Sequence, residues 1–322
     1  MSKKVFDKRT ALSEHLFPIG IFFLCGAGLL IVKGGMSWEY LESLISRAVV
    51  LSIITMGAVF VFTIGAFGIS LGASTLVGVS FGALVYESTG NIFLTFFACI
   101  GAPVVGCVTS SALSSFFSLP PYVTAALMLG LFGSVARLIL QMHGGEIVTG
   151  LGGDAPFNST GERLLCFVLF FSLCILLYHV LPIGNKQKEL GDNRDRARLQ
   201  GLSRRGLSLA GFFVAGLGVG IAGFLILCSY PWVNRGSISD LGFNIIFAII
   251  LGGMSLSGGS HSRLSSAIWG SFSAIFMSEI IYEVCGESPV FLGVSQTARG
   301  IILLALMTVL VLREKKYSLK RR

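Results

Sequence analysis

This 322-residue sequence predicts an all-α, polytopic membrane protein of about ten transmembrane helices with both termini cytoplasmic, and three observations predict it. The first is composition. Hydrophobic residues make up 53% of the chain and charged ones 12%, against about 25% charged in soluble domains, and the mean hydropathy is +0.82. The second is spacing, because apolar runs close to the ~20 residues of a membrane-crossing helix recur along the chain. The third is the placement of basic residues: 17 of the 24 lie in the N-terminal tail, in one charged island over 184–206, or in the C-terminal tail. Cytoplasmic segments are enriched in Lys and Arg, so these three are read as lying on one side.

Residues 1–16, MSKKVFDKRTALSEHL, form a basic tail, and the first apolar run is Phe17 to Val32. No small-x-small cleavage site follows it, so it reads as a retained first span and not as a signal peptide. Further apolar runs fall at 44–64, 66–86, 91–117, 120–141, 162–182, 207–230, 238–252, 263–285 and 290–312. Six runs precede the island and four follow it, which places both tails and the island on one face independently of the charges. The whole chain, 1–322, thus reads as one transmembrane domain, with 1–16, 184–206 and 313–322 in the cytoplasm. Acidic residues Glu39, Glu42, Glu146, Asp154, Glu162, Asp240 and Glu287 fall in segments assigned outside. The 41 glycines suit close packing of membrane helices.

The longest external segment, Met142 to Gly161, has the Gly, Pro, Asn and Asp content of a loop; it suits docking of a delivered ligand or its carrier, and equally a solvated connector. Two short segments share a G-x-S-L core, Gly68 to Leu71 and Gly253 to Leu256. Glycine-interrupted segments in two halves of a transporter point to broken helices at a pathway, and four shared residues also fit chance similarity in a glycine-rich chain. Ionisable groups inside apolar runs are few: Arg47, Arg137, Glu279 and Glu283, with Arg299 near the start of the last run. Such groups in lipid face protein or water, or snorkel to the headgroups; Arg137 and Glu279 are the deepest. The seven cysteines and four histidines are dispersed, with no C-x-x-C pair and no metal-ligand spacing, so no disulfide framework, metal site or cofactor is expected.

The island, GNKQKELGDNRDRARLQGLSRRG, is where the sequence becomes specific. Its mixed charges suggest a helix over Glu189 to Leu202 that touches a protein; the interspersed Glu189, Asp192 and Asp195 argue against a purely basic anchor for anionic lipid. Gly191 to Leu202, GDNRDRARLQGL, resembles the G-x-N-x-x-A-A-R-x-x-G-I segment of permease subunits of monosaccharide-type bacterial ABC importers, the ribose permease family. LSLAGFFVAGLGVGIAGFLI (207–226) is similar to that family's next helix, and ILGGMSLSGGSHSRLSSAIWGSF (250–272) resembles its L-G-G-x-S-L-x-G-G signature. LPPYVTAALMLGLFGSVARLIL (119–140) resembles its P-P-F segment, Arg137 included. One departure stands out: Gly68 occupies the place of the family's usual acid in G-G-I-D-L-S-x-G.

The resemblance implies a permease working with a second copy or a homologous permease, two cytoplasmic ATP-binding subunits and an extracytoplasmic solute-binding protein, within a lipid bilayer and with no nucleic acid. In agreement, the chain has no G-x-x-x-x-G-K-[ST] phosphate loop, so ATP hydrolysis is expected in a partner and no catalytic residue is assigned here. The same resemblance assigns ATPase coupling to Glu189, Gly191, Asn193, Arg196, Arg198 and Gly201. It assigns the translocation pathway to Gly68, Ser70, Gly72, Thr124, Arg137, Gly252, Gly253, Ser255, Gly258 and Gly259. Ser70, Ser74, Ser255, Ser257 and Thr124 suit a neutral hydroxyl-rich solute, although serines also satisfy their own helix backbone. A monosaccharide is the expected substrate, with a nucleoside or another small metabolite as the alternative. From other classes, an ion-coupled transporter or channel would rest on Glu279 and Glu283, which stand nearly alone. A membrane enzyme would need a convergent set of nucleophile, base or metal ligands, and the sequence offers none.

Overall fold

Each of the ten apolar runs carries a helix. The computed structural model describes residues 2–66, 68–117, 119–142, 147–149, 151, 156–230, 232–234, 241–254, 258–259, 262–285 and 297–308. In chain order the helices begin with α1 (Ser2–Lys33), α2 (Trp38–Thr63), α3 (Ser70–Thr89), α4 (Ile92–Phe116) and α5 (Pro121–Met142). Then come α6 (Thr160–Ile175), running into a π-helical turn (Leu176–Val180), and two short helices on the island, α7 (Ile183–Asp192) and α8 (Arg194–Leu199). The chain continues with α9 (Arg204–Ser229), α10 (Leu241–Leu251), α11 (Leu264–Cys285) and α12 (Thr297–Thr308). Among the described residues, seven helices are long and apolar enough to cross a membrane; α3 adds 20 residues, and α10 and α12 are shorter apolar helices.

Local signals set the helix starts. Ser37 and Asn91 cap α2 and α4, accepting from the backbone N–H of Tyr40 and Phe93, and Ser159 with Glu162 forms a reciprocal capping box on α6. Gly90, at φ +63°, ends α3 in the left-handed conformation that favours glycine.

α2 and α9 form the centre of the bundle. Every residue of α2 from Ala48 to Thr63 is buried, whereas α1, α4 and α6 keep most of their surface outside the chain. None of these helices needs a polar face, because lipid tails are as apolar as the core, so association depends on close packing. On α9, a Cβ at Gly216 would lie 2.7 Å from Val104 Cα and one at Gly220 2.5 Å from Ile100 Cα, so α4 touches α9 backbone to backbone. α2 approaches the other side of α9, where a Cβ at Gly57 would lie 3.1 Å from Ala215 Cα. Hydroxyl pairs add cross-links: Thr55 and Ser271 at 2.7 Å join α2 to α11, and Ser111 and Ser208 at 2.8 Å join α4 to α9.

Two expectations change. The segment 142–161, expected to be loop, contributes a strand, β1 (Ile147–Thr149), which pairs antiparallel with β2 (Trp232–Asn234), Val148 opposite Val233. Both strands are rich in β-branched and aromatic residues, which favour that pairing. The single helix expected over 189–202 is broken at Asn193, whose backbone is extended (φ −155°, ψ 106°). The Asn193 side chain accepts from the N–H groups of Asp195 and Arg196, both at 3.1 Å, so a cap outweighs helix continuity there.

Candidate functional site

The site is built where the island meets the end of α2. Pro182 lacks an N–H and crowds the turn before it, so α6 cannot continue; its last turn widens, and Leu181 N–H donates to the carbonyl of Leu176, five residues back, at 2.8 Å. α7 starts immediately. Its Gly184, Gln187 and Leu190 are buried at a three-residue spacing, and Lys186 and Glu189 are exposed. Gln187 donates from Nε2 to the Leu207 carbonyl at 3.0 Å, tying α7 to the start of α9.

Gly191, from the coupling set, has the tightest surroundings. A Cβ there would collide with the Thr63 carbonyl oxygen and lie 2.5 Å from Gly259 N and 2.9 Å from Gly259 Cα. Gly259 itself donates its N–H to that Thr63 carbonyl at 2.9 Å. Gly258 and Gly259 take φ of +84° and +88°, and a Cβ on Gly258 would lie 2.5 Å from the Phe62 carbonyl oxygen. Side chains are thus excluded at three glycines from two segments far apart in sequence. Around them, the buried Tyr178 of the π turn reaches Thr63 and the Ser262 carbonyl, and Lys188 Nζ lies 4.6 Å over the Tyr178 ring. Burial, and then the charge of Arg263, push Lys188 below the usual lysine range, with Asp192 opposing.

α8 faces away from this junction. Ala197 is buried, while Arg196, Arg198 and Leu199 are exposed, Leu199 to 89%. A leucine so exposed directly after Arg198, with Arg196 three residues before it, makes an amphipathic contact surface. Gly201, at φ +73° with open space around it, turns the chain back towards α9, where Arg205 sits 5.3 Å from the Phe116 ring.

The residues assigned to a pathway are separated. Gly258 and Gly259 belong to the island junction. Gly252 lies against the Ser266 backbone at the start of α11, and a Cβ on Gly253 would lie 2.7 Å from the Phe17 ring of α1. Gly72 lies on Gly242, where α3 and α10 touch, and Gly68 packs on Phe62 and Leu71. Ser70 is buried at the start of α3. Thr124 is buried beside a water-sized cavity of about 10 Å³ that also touches Leu190 of α7. Arg137 is exposed on α5. Ser255, Ser257, Glu146, Asp154, Asp240, Glu287 and the tail 313–322 lie outside the described residues.

At the far end of the bundle the charges within apolar runs are engaged. Glu279 accepts from Arg47 and from the Tyr40 hydroxyl at 3.0 Å, and Glu283 pairs with Lys33 at 2.9 Å. Arg47 and Glu283 thus face protein through ion pairs, between α2 and α11 and between α1 and α11. Arg299 donates to Asn244 Oδ1 at 3.2 Å. Beside this network an open cleft of about 320 Å³ is lined by Glu39, Glu42, Ser46, Arg47, Arg163 and Tyr230, among others. Among the described residues no group of three His, Cys, Asp or Glu side chains is placed to hold a metal.

Of the residues at this junction, the sequence singles out Gly191 for coupling and Gly258 and Gly259 for a pathway, and it does not single out Thr63, Tyr178 or Gln187. Thr63 and Tyr178 sit in apolar runs with no motif around them; Pro182 was the one available signal that α6 ends in an unusual turn.

Residues 40–312 match the sequence model of the family described as "Branched-chain amino acid transport system / permease component". Among curated proteins, the "Probable ABC transporter permease protein YphD" of Escherichia coli (strain K12) is 26% identical over 216 residues, covering 64% of this chain and 61% of that protein. The chain therefore spans less than two thirds of that relative's length. The autoinducer 2 import system permease protein LsrC of Yersinia pseudotuberculosis serotype IB (strain PB1/+) is 26% identical over 260 residues, 78% of this chain and 72% of that one. The fructose import permease protein FruF of Bifidobacterium longum (strain NCC 2705) is 23% identical over 258 residues, 77% and 72%. A solved inward-facing conformation of a metal-chelate type ABC transporter superposes with a TM-score of 0.52 at 14% identity, covering 92% of this chain and 99% of that one; it shares the fold.

Proposed function

Because the chain belongs to the branched-chain amino acid transport system / permease component family, a family of multi-pass bacterial inner-membrane proteins, we propose that it is the membrane subunit of an ATP-driven importer for a monosaccharide or a similar small hydroxyl-rich solute. The substrate class is inferred from relatives named for fructose and autoinducer 2 import, together with the buried hydroxyls of Ser70, Ser74 and Thr124. In this reading the island and both tails face the cytoplasm. Two ATP-binding subunits seat against α7–α8, a second permease completes the pathway, and a binding protein delivers solute at the far end, beside the cleft near Glu39 and Arg163.

The observation that carries this reading is the junction at Gly191. A cytoplasmic anchor for lipid needs only charge, whereas α7 is seated backbone to backbone on α2 and on the loop before α11, with α8 exposing Arg196, Arg198 and Leu199. Such a segment can accept force from a partner and pass it to the bundle. The ion-coupled alternative loses ground because Glu279, its best acid, is tied to Arg47 and Tyr40.

The test is co-purification in mild detergent with residues 189–198 intact or replaced by a Gly/Ser linker, together with uptake of radiolabelled monosaccharides by cells. An ATP-binding subunit retained by the intact chain and lost with the linker is expected. Retention by both forms would remove the coupling role of the island. No ATP-binding protein with either, alongside normal uptake, would overturn the importer.

A further inference from the structure

The hydrogen bonds around Tyr178 can be counted, and the count is uneven. The Tyr178 hydroxyl lies 2.8 Å from the Ser262 carbonyl oxygen and 3.1 Å from Thr63 Oγ1, and Thr63 Oγ1 lies 2.6 Å from the Val59 carbonyl oxygen. The two carbonyls only accept, and each hydroxyl carries one proton. Three contacts therefore share two protons, so one contact is always without a bond.

Two of the arrangements matter. In one, the Tyr178 hydroxyl donates to Ser262, and the chain two residues before α11 is fastened to the π turn. In the other, Tyr178 donates to Thr63 while Thr63 donates to Val59, and the Ser262 carbonyl is free. Both contain two hydrogen bonds and differ by rotation of one hydroxyl, so Ser262 can part from Tyr178 without a change in the number of bonds. The groups around this hydroxyl join it to the island. The Tyr178 ring meets Phe60 edge-on at 5.2 Å, Lys188 of α7 stands over its face, and Gly191 presses on the Gly259 to Thr63 bond. π turns often mark functional positions for this reason, as a widened turn places a side chain that a regular helix would not.

We propose that the Tyr178 hydroxyl is a two-position latch: displacement of α7 switches it between Ser262 and Thr63, and so fastens the π turn either to the chain just before α11 or to the end of α2. Tyr178 is thus a positioning residue for transport, and this role rests on the reading of α7–α8 as the segment that meets the ATP-binding subunits.

The experiment uses the complete complex in lipid nanodiscs, with spin labels at Gln200→Cys and Ser265→Cys, both exposed positions. The inter-label distance is measured with and without ATP and vanadate, and ATP hydrolysis is followed in parallel. The labelled complex is expected to show a nucleotide-dependent change in distance. Tyr178→Phe, which cannot hold Ser262, should keep ATP hydrolysis and lose that change. Thr63→Val removes the second acceptor and holds the latch on Ser262, slowing hydrolysis about tenfold, the size expected for one hydrogen bond, and Thr63→Ser should restore it. A distance change in Tyr178→Phe equal to that of the unsubstituted complex overturns the latch. If Tyr178→Phe does not assemble, the threonine pair decides: equal rates in Thr63→Val and Thr63→Ser overturn it, and rescue by Ser supports it. Failure of the underlying importer reading shows separately, as absence of an ATP-binding partner before any substitution is made, and the latch falls with it.

Discussion

Gly191→Ala is the smallest change that tests whether the island is built into the bundle. The new methyl would collide with the Thr63 carbonyl oxygen and lie 2.5 Å from Gly259 N and 2.9 Å from Gly259 Cα. Every one of those neighbours is backbone, so no flexible side chain can move aside. Overpacking of this kind costs about 1–3 kcal/mol, and separating Thr63 from Gly259 forfeits a hydrogen bond of about 0.5–1.5 kcal/mol. The combined cost is about 2–4 kcal/mol, offset by up to ~1 kcal/mol from the better helix propensity of alanine. The assay is thermal unfolding of the detergent-solubilised protein alongside retention of the ATP-binding subunits, with Gly130→Ala as the control. Gly130 lies mid-helix in α5 with nothing within 4 Å of a built Cβ, so the control should be neutral or stabilising. Equal stability and equal retention in the two variants would refute the packing argument at Gly191, and with it the observation on which the coupling role stands.

Three further outcomes follow from the geometry. Gly72→Ala places a methyl 2.6 Å from Gly242 Cα, so α3 and α10 must separate; a loss of about 1–3 kcal/mol is expected in unfolding experiments, and an unchanged melting temperature would contradict the contact. Glu279→Gln removes the carboxylate shared by Arg47 and Tyr40 and should cost about 1–2 kcal/mol of stability while uptake persists in the protein that remains; abolished uptake with unchanged stability would revive ion coupling. Lys188 has a folded-state pKa below that of the unfolded chain, so the folded protein releases this proton first. Stability should therefore rise with pH from that depressed value up to about 10.4, and Lys188→Met should flatten the rise in melting curves recorded across alkaline pH.

The fold was legible because lipid imposes a coarse code. Each apolar run from Phe17 onward carries a helix, and the break at the island follows from its charge alone. Boundaries inside the island were not legible, because Asn193 reads equally as a residue within a helix or as a cap, and the choice shows only in its extended backbone and its bonds to the Asp195 and Arg196 N–H groups. Ion pairing of Arg47 with Glu279 was equally hidden. The two residues lie 232 positions apart, and a single sequence carries no trace of that contact.

The glycine motifs were legible as unusual but not as to purpose. A G-x-S-L segment suggests backbone lining a cavity, yet Gly258 and Gly259, just after the second copy, touch Phe62, Thr63 and Asp192 and leave no room for a solute. Glycine in a bilayer serves two ends that sequence cannot separate: backbone open to a passage, and backbone pressed on backbone. Burial separates them here. Where an added Cβ would strike main-chain atoms, as at Gly72, Gly191 and Gly258, the residue is a contact, and substitution there should perturb stability and coupling before selectivity. Among the described residues of the predicted pathway, Arg137 is exposed on α5 with no such constraint, so Arg137→Gln should leave folding intact and register in uptake alone.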